Sequence, residues 1–146
     1  ENNVLSRNSN NTIVRFSAIY GPGRNRMIKM ALTSPEIQQD PPFYINQIHK
    51  DDCAGILKFL VEKKMAGEKL KSILLASDDD PAPMWDVVSW LALHLNSEKP
   101  KKKTVNNNAT QSKRCANNYL KEIGYEFKYP SYKDGYLSLM SERDKV

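Results

Sequence analysis

With 146 residues, 40% of them apolar, the chain has material for one core without help from metal or disulfides. Its 22 basic and 17 acidic residues leave a formal charge of +5, too mild an excess for charge alone to indicate a nucleic-acid binder. Cys53 and Cys115 lack CxxC spacing, and no apolar run approaches the roughly 20 residues of a membrane helix, so zinc, redox and membrane-spanning roles are set aside. Each cysteine falls in an apolar helical pattern, which reads as a buried structural thiol in a reducing compartment, and a cytoplasmic location is expected.

Residues 1–11 carry no initiator Met and end in an Asn-rich stretch, so they read as the tail of an upstream helix or a flexible arm. The chain is accordingly expected to be a fragment. Thr12 to Tyr20 is β-branched and aromatic, is followed by Gly21-Pro22-Gly23, and predicts a largely buried strand ended by a turn. Met27, Ile28, Ala31 and Leu32 then repeat at helical spacing, and Thr33-Ser34-Pro35 closes that helix. Residues 35–42 read as loop. Phe43 to His49 is a more polar extended segment, after which Asp51 or Asp52 is the expected N-cap of a helix with Cys53, Ile56, Leu57, Leu60 and Val61 on one face.

Ser72 to Ala76 suits a buried strand, and Met84 to Leu95 predicts a helix with Trp85, Val88, Leu91 and Leu95 as its buried stripe. Residues 96–111, rich in Lys and Asn, read as an exposed mobile loop around one short strand at Thr104-Val105. Ser112 is the expected cap of a helix carrying Cys115, Tyr119, Leu120 and Ile123, with Gly124 beyond its end. A final short helix follows Pro130 and Asp134-Gly135. Strands alternating with helices predict α/β architecture, with residues 12–146 as one unit.

The most informative segment is Arg15-Phe-Ser-Ala-Ile-Tyr-Gly-Pro-Gly-Arg24, a strand running into a turn and a basic helix start. In open α/β sheets ligands sit at the carboxyl ends of strands, where backbone groups are free and side chains converge. This segment resembles the stretch that follows the catalytic helix in extended short-chain dehydrogenases/reductases of the nucleotide-sugar epimerase/dehydratase type. Asn46-Gln-Ile-His-Lys-Asp-Asp52, Leu74-Leu-Ala-Ser-Asp-Asp79, and Ser112-Lys-Arg-Cys-Ala-Asn117 through Tyr129-Pro-Ser-Tyr132 with Gly135-Tyr136 resemble later segments of the same family, in the same order. Together they span about residues 12 to 137.

The resemblance implies an α/β fold: the carboxy-terminal part of a Rossmann-type fold, with two sheet strands, plus the small substrate-binding lobe. It sets Ser17, Ala18, Ile19 and Tyr20 beside the nicotinamide of NAD or NADP in an intact parent, makes Arg24, Asn46, His49 and Arg114 candidates for substrate binding, and makes Arg26, with Arg24, a candidate for contacting an anionic substrate group. Lys113 and Arg114 would open a helix, where the macrodipole disfavours cations, so a phosphate or an acidic side chain is one expected partner.

Two hallmarks of the family have no counterpart. The six glycines form no G-x-x-G-x-x-G turn to cradle a pyrophosphate. Only Tyr129 has a lysine four residues on, and Pro130 stands against a helix there, so no Tyr-x-x-x-Lys base is present. No catalytic residue, metal site or cofactor is therefore expected for the chain alone. The partners expected are an amino-terminal half, a small sugar-nucleotide-like substrate and further copies of the chain. A non-catalytic interaction module and a weak nucleic-acid binder using Lys99 to Lys103 are the alternatives.

Overall fold

The computed structural model of the chain describes residues 1–8, 10–103, 105 and 112–143. After helix α1 (Asn2–Arg7), the segment read as one strand from Thr12 to Tyr20 is two, β1 (Ile13–Phe16) and β2 (Ala18–Tyr20). The break at Ser17 is a change of partner. Ser17 N–H still bonds the Ala76 carbonyl at 2.9 Å, whereas Ala18 N–H bonds Asn46 O at 3.1 Å. Thus β1 runs parallel to β6 (Ile73–Ala76), with Val14 opposite Leu74, and β2 runs parallel to β5 (Gln47–His49), with Tyr20 opposite His49.

Past β2, Gly21 and Gly23 take positive φ of 146° and 79°, which lets the chain turn sharply into α2 (Arg26–Ala31). The segment read as loop contains β3 (Glu36–Ile37), which pairs with β8 (Lys101–Lys102) and sets Glu36 opposite Lys101. Two-residue strands have no periodicity to detect. Of the strand expected at Thr104-Val105, Thr104 lies outside the described residues and Val105 is not in a strand; Asn106 to Asn108 also lie outside them. Strand β4 (Tyr44–Ile45) pairs antiparallel with β7 (Ala82–Pro83).

Helix α3 (Lys50–Met65) forms as its periodicity predicts, but its cap differs. His49 is the N-cap, its Nδ1 accepting from Asp51 N–H at 3.2 Å. Cys53, Ile56 and Leu60 are buried, whereas Leu57 and Val61, expected on the same face, stay about half exposed at 49% and 57%. Helix α4 (Met84–His94) buries Val87, Val88, Leu91 and Ala92, with Trp85 and Leu95 only half-buried at the margin.

Two cores result. Ile48, Cys53, Ile56, Leu60, Leu74, Ala76 and Leu120 join α3 and α5 (Asn118–Glu122) to one face of the β1–β6 pair. Tyr20, Ile28, Ala31, Val88, Leu91, Tyr136 and Leu139 join α2, α4 and α6 (Tyr132–Arg143) into a lobe. The second face of the β1–β6 pair is apolar yet open, with Ile73 40% and Leu75 37% exposed beside Arg15. Among the described residues no strand pairs with the other edge of β1, and no helix is long and apolar enough to cross a membrane.

The helix expected from Ser112 begins only at Asn118. Residues 112–117 are held non-helical by bonds to distant groups that outcompete the helix ladder. Ser112 Oγ accepts from Tyr44 N–H at 2.6 Å, Asn46 Oδ1 accepts from Cys115 N–H at 2.6 Å, and Asn117 Nδ2 donates to Ser77 O at 3.0 Å. Cys115 is therefore half-buried outside a helix, unlike the buried Cys53.

Candidate functional site

The β2–β5 pair, the start of α2 and the lobe enclose a pocket of about 450 Å³. Its walls are largely apolar, from Ala18, Ile19, Met27, Phe43, Ile45 and Met84, while Tyr20, Tyr136, Gln47, Arg24 and Arg26 supply polar atoms. The pocket lies where β2 ends, because the Gly21-Pro22-Gly23 turn reverses the chain and sends α2 back along its rim. Neither Arg24 nor Arg26 has an ion-pair partner among the described residues. A half-apolar cleft with two free guanidinium groups suits an organic anion.

Behind this wall lies a buried polar and aromatic layer. Tyr20 meets His49 edge-on at 5.3 Å between ring centroids and Tyr136 at 4.5 Å, and His49 meets Tyr129 at 4.0 Å. Tyr136 Oη donates to Gln47 Oε1 at 3.0 Å. Burial, reinforced by the nearby Asp78, raises the Tyr20 and Tyr136 hydroxyls far above the ordinary phenol range, so neither is a base. Burial also lowers the pKa of His49. Its Nδ1 accepts from Asp51 N–H, which leaves Nε2 as the protonated nitrogen, and that atom is sealed in without a partner.

Asp78 is the most perturbed carboxyl. It is 1% exposed, its Oδ2 has no partner, and burial pushes its pKa up to about 8 against a weaker lowering by the Asp80 N–H. Asp52 is fully buried but richly bonded, its carboxylate accepting from Lys128 N–H at 2.8 Å, Tyr129 N–H at 3.0 Å and Tyr125 Oη at 3.0 Å. It ties the 125–129 segment to the start of α3. Among the described residues no group of three or more His, Cys, Asp or Glu could hold a metal ion.

Of the residues singled out from sequence, Ala18, Ile19, Tyr20 and Arg24 converge on the pocket. Ser17 is not among the residues lining it; its Oγ donates to Ser77 Oγ at 3.2 Å. Asn46 is engaged with the 112–117 segment on both amide atoms, donating to Lys113 O at 2.8 Å. His49 is buried behind Tyr20, and Arg114 lies over the Tyr44 ring at 5.1 Å. Because residues 112–117 are not helical, the expected conflict of Lys113 and Arg114 with a helix dipole does not arise. His94 is exposed and stacks on Trp90 at 4.0 Å.

Arg26, read with Arg24 as a candidate for an anionic group, also lines the pocket, as do Gln47 and Tyr136, which fall within the motif segments but carry no binding role there. Gln47 and Tyr136 meet across 89 residues of chain, which no local pattern signals. Where they line the pocket, Ala18 is exposed and Ile19 half-buried.

No family model matches the chain and no curated protein does. Solved structures do match. A Methylobacillus flagellatus protein assigned to the NAD-dependent epimerase/dehydratases is 30% identical and superposes with a TM-score of 0.76, over 91% of this chain and 47% of its own. A conserved protein of unknown function from Silicibacter pomeroyi is 26% identical with a TM-score of 0.70, over 90% of this chain and 49% of its own. The fold recurs in UDP-N-acetylglucosamine 4-epimerase of Bacillus cereus, 18% identical with a TM-score of 0.62, over 87% of this chain and 47% of its own. The chain spans about half the length of these structures.

Proposed function

We propose a function for a chain built like the carboxy-terminal part of the NAD-dependent epimerase/dehydratases, a branch of the extended short-chain dehydrogenases/reductases. It supplies the substrate-binding half of a NAD(P)-dependent enzyme acting on a sugar nucleotide or a similar carbonyl or alcohol substrate, and it is not catalytically competent alone. The observation that carries this reading is the pocket at the end of β2, which gathers Ala18, Ile19, Tyr20, Arg24 and Arg26 around one apolar cleft.

In this reading Arg24 and Arg26 bind the anionic part of the substrate, the apolar walls exclude water from its reacting end, and Ala18, Ile19 and Tyr20 border the nicotinamide. The cofactor would supply hydride acceptance and return. A glycine-rich turn and a tyrosine base would come from an amino-terminal half. The open apolar face at Ile73 and Leu75 and the edge of β1, unpaired among the described residues, support such a half, because parallel sheets are ordinarily covered on both faces. That same open surface favours a second reading, a non-catalytic interaction module.

Titration calorimetry of the 146-residue chain with NAD, NADP and UDP-N-acetylglucosamine tests the reading. Weak binding of the sugar nucleotide with none of the dinucleotides is expected; micromolar dinucleotide affinity refutes it. Sequencing the reading frame upstream of Glu1 separates the two readings. A glycine-rich strand-turn-helix followed by a Tyr-x-x-x-Lys helix supports the enzyme half, and unrelated sequence supports the module.

A further inference from the structure

Gln47 faces Ala18 in the β2–β5 register and lines the pocket while being only 4% exposed. Its Oε1 accepts from Tyr136 Oη at 3.0 Å, and Tyr136 is itself fully buried against Tyr20. In this arrangement the carboxamide oxygen is engaged, and its NH₂ group is left to find an acceptor. None of the described residues provides one. The sealed, unpartnered side-chain atoms among the described residues are His49 Nε2, Asp78 Oδ2 and Ser89 Oγ; Gln47 Nε2 is not one of them, and Gln47 lines the pocket.

We propose that Gln47 is a specificity-determining residue of this pocket. Its Nε2 donates to a neutral oxygen, a hydroxyl or carbonyl, on the uncharged body of an organic phosphate whose anionic end meets Arg24 and Arg26. This inference rests on the pocket being the ligand site argued above. The guanidinium groups at the rim attract any phosphate, so they discriminate poorly; the oriented amide is what tells one phosphate ester from another. A site built around a buried donor rejects ligands that leave the donor unpaired. Tyr136 acts as a positioning residue, since its hydroxyl holds the carboxamide by its oxygen at 3.0 Å.

The test titrates the 146-residue chain with uridine diphosphate and with inorganic pyrophosphate, which carries comparable charge without an organic body. Binding and the Gln47 side-chain amide resonances are followed by ¹⁵N-resolved NMR. Uridine diphosphate is expected to bind more tightly and to shift the Gln47 NH₂ signals. Gln47→Met, close in volume, should weaken uridine diphosphate about tenfold, the loss of one oriented hydrogen bond, and leave pyrophosphate within about twofold. Tyr136→Phe should weaken uridine diphosphate alone, by a smaller factor, and Arg24→Ala should weaken both probes.

Unshifted Gln47 amide signals at saturation, or a folded Gln47→Met chain that binds uridine diphosphate as the parent does, overturn the proposal. If Arg24→Ala still weakens both probes in that case, the pocket remains a ligand site and only the role of Gln47 falls. If neither probe binds at millimolar concentration, both fall. The amide shift is read on the unmodified chain, so a variant that fails to fold leaves the test intact.

Discussion

Replacing Asp78 with Asn should stabilise the chain at neutral and alkaline pH, although it removes an acidic side chain from the core. The carboxyl is 1% exposed, with Oδ1 accepting from Asp80 N–H at 3.3 Å and Oδ2 unpartnered. Burial holds its folded pKa up to about 8, against an ordinary value of 3.8. The folded state therefore keeps a proton that the unfolded state releases from about pH 4 upward. Between those limits the folded chain binds more protons, so its stability falls as pH rises, by about 1.4 kcal/mol per unit for a full proton. Over about four units the loss reaches at most about 6 kcal/mol. Asn keeps the shape and the acceptor for Asp80 N–H but cannot ionise.

Urea denaturation of both proteins between pH 4 and pH 8.5 reads this directly, the quantity of interest being the difference between the two curves. His49 acts in the opposite sense: burial lowers its folded pKa below the ordinary 6.5, so its contribution grows as pH rises towards that value. Taking the difference cancels His49 and leaves Asp78. The Asn variant should gain on the parent progressively from pH 4 to pH 8 and then level off. Parallel curves would refute the argument, showing that Asp78 is ionised and solvated in the folded chain.

Asp52→Ala should cost about 3–5 kcal/mol in the same assay, because it strands the Lys128 and Tyr129 N–H groups and the Tyr125 hydroxyl; a loss below about 1 kcal/mol would mean that water replaces the carboxylate freely. Gly135→Ala should drive a methyl group into the Tyr20 ring, destabilise the chain by about 1–3 kcal/mol and weaken uridine diphosphate binding; an unchanged melting temperature would show that Tyr20 moves aside freely. Light scattering should find the 146-residue chain as a dimer or larger assembly through the free β1 edge and the open Ile73–Leu75 face, and Leu75→Lys should shift it towards monomer. A stable monomer of the unmodified chain at high micromolar concentration would sink that expectation.

What the sequence determined by itself was the part written in neighbouring residues. The apolar repeat of Cys53, Ile56 and Leu60 specifies α3, the run at Ile73 to Ala76 specifies a strand, and Gly21-Pro22-Gly23 marks where β2 must end. Those signals act over a few residues, so composition and spacing suffice to read them. The four motif segments likewise placed the chain among carboxy-terminal halves of one fold. The tertiary structure alone decided which polar side chains face a ligand and which hold the frame. Asn46 and Asp52 sit in motifs that look functional, yet partners 67 to 77 residues away consume their hydrogen-bonding capacity. Ser112, which looks like a helix cap, instead binds Tyr44 N–H, because a distant backbone donor offers more than the start of an uncommitted helix. Gln47 shows the reverse: unremarkable as a letter between Asn46 and Ile48, it becomes an oriented donor only once Tyr136, 89 residues on, has claimed its oxygen.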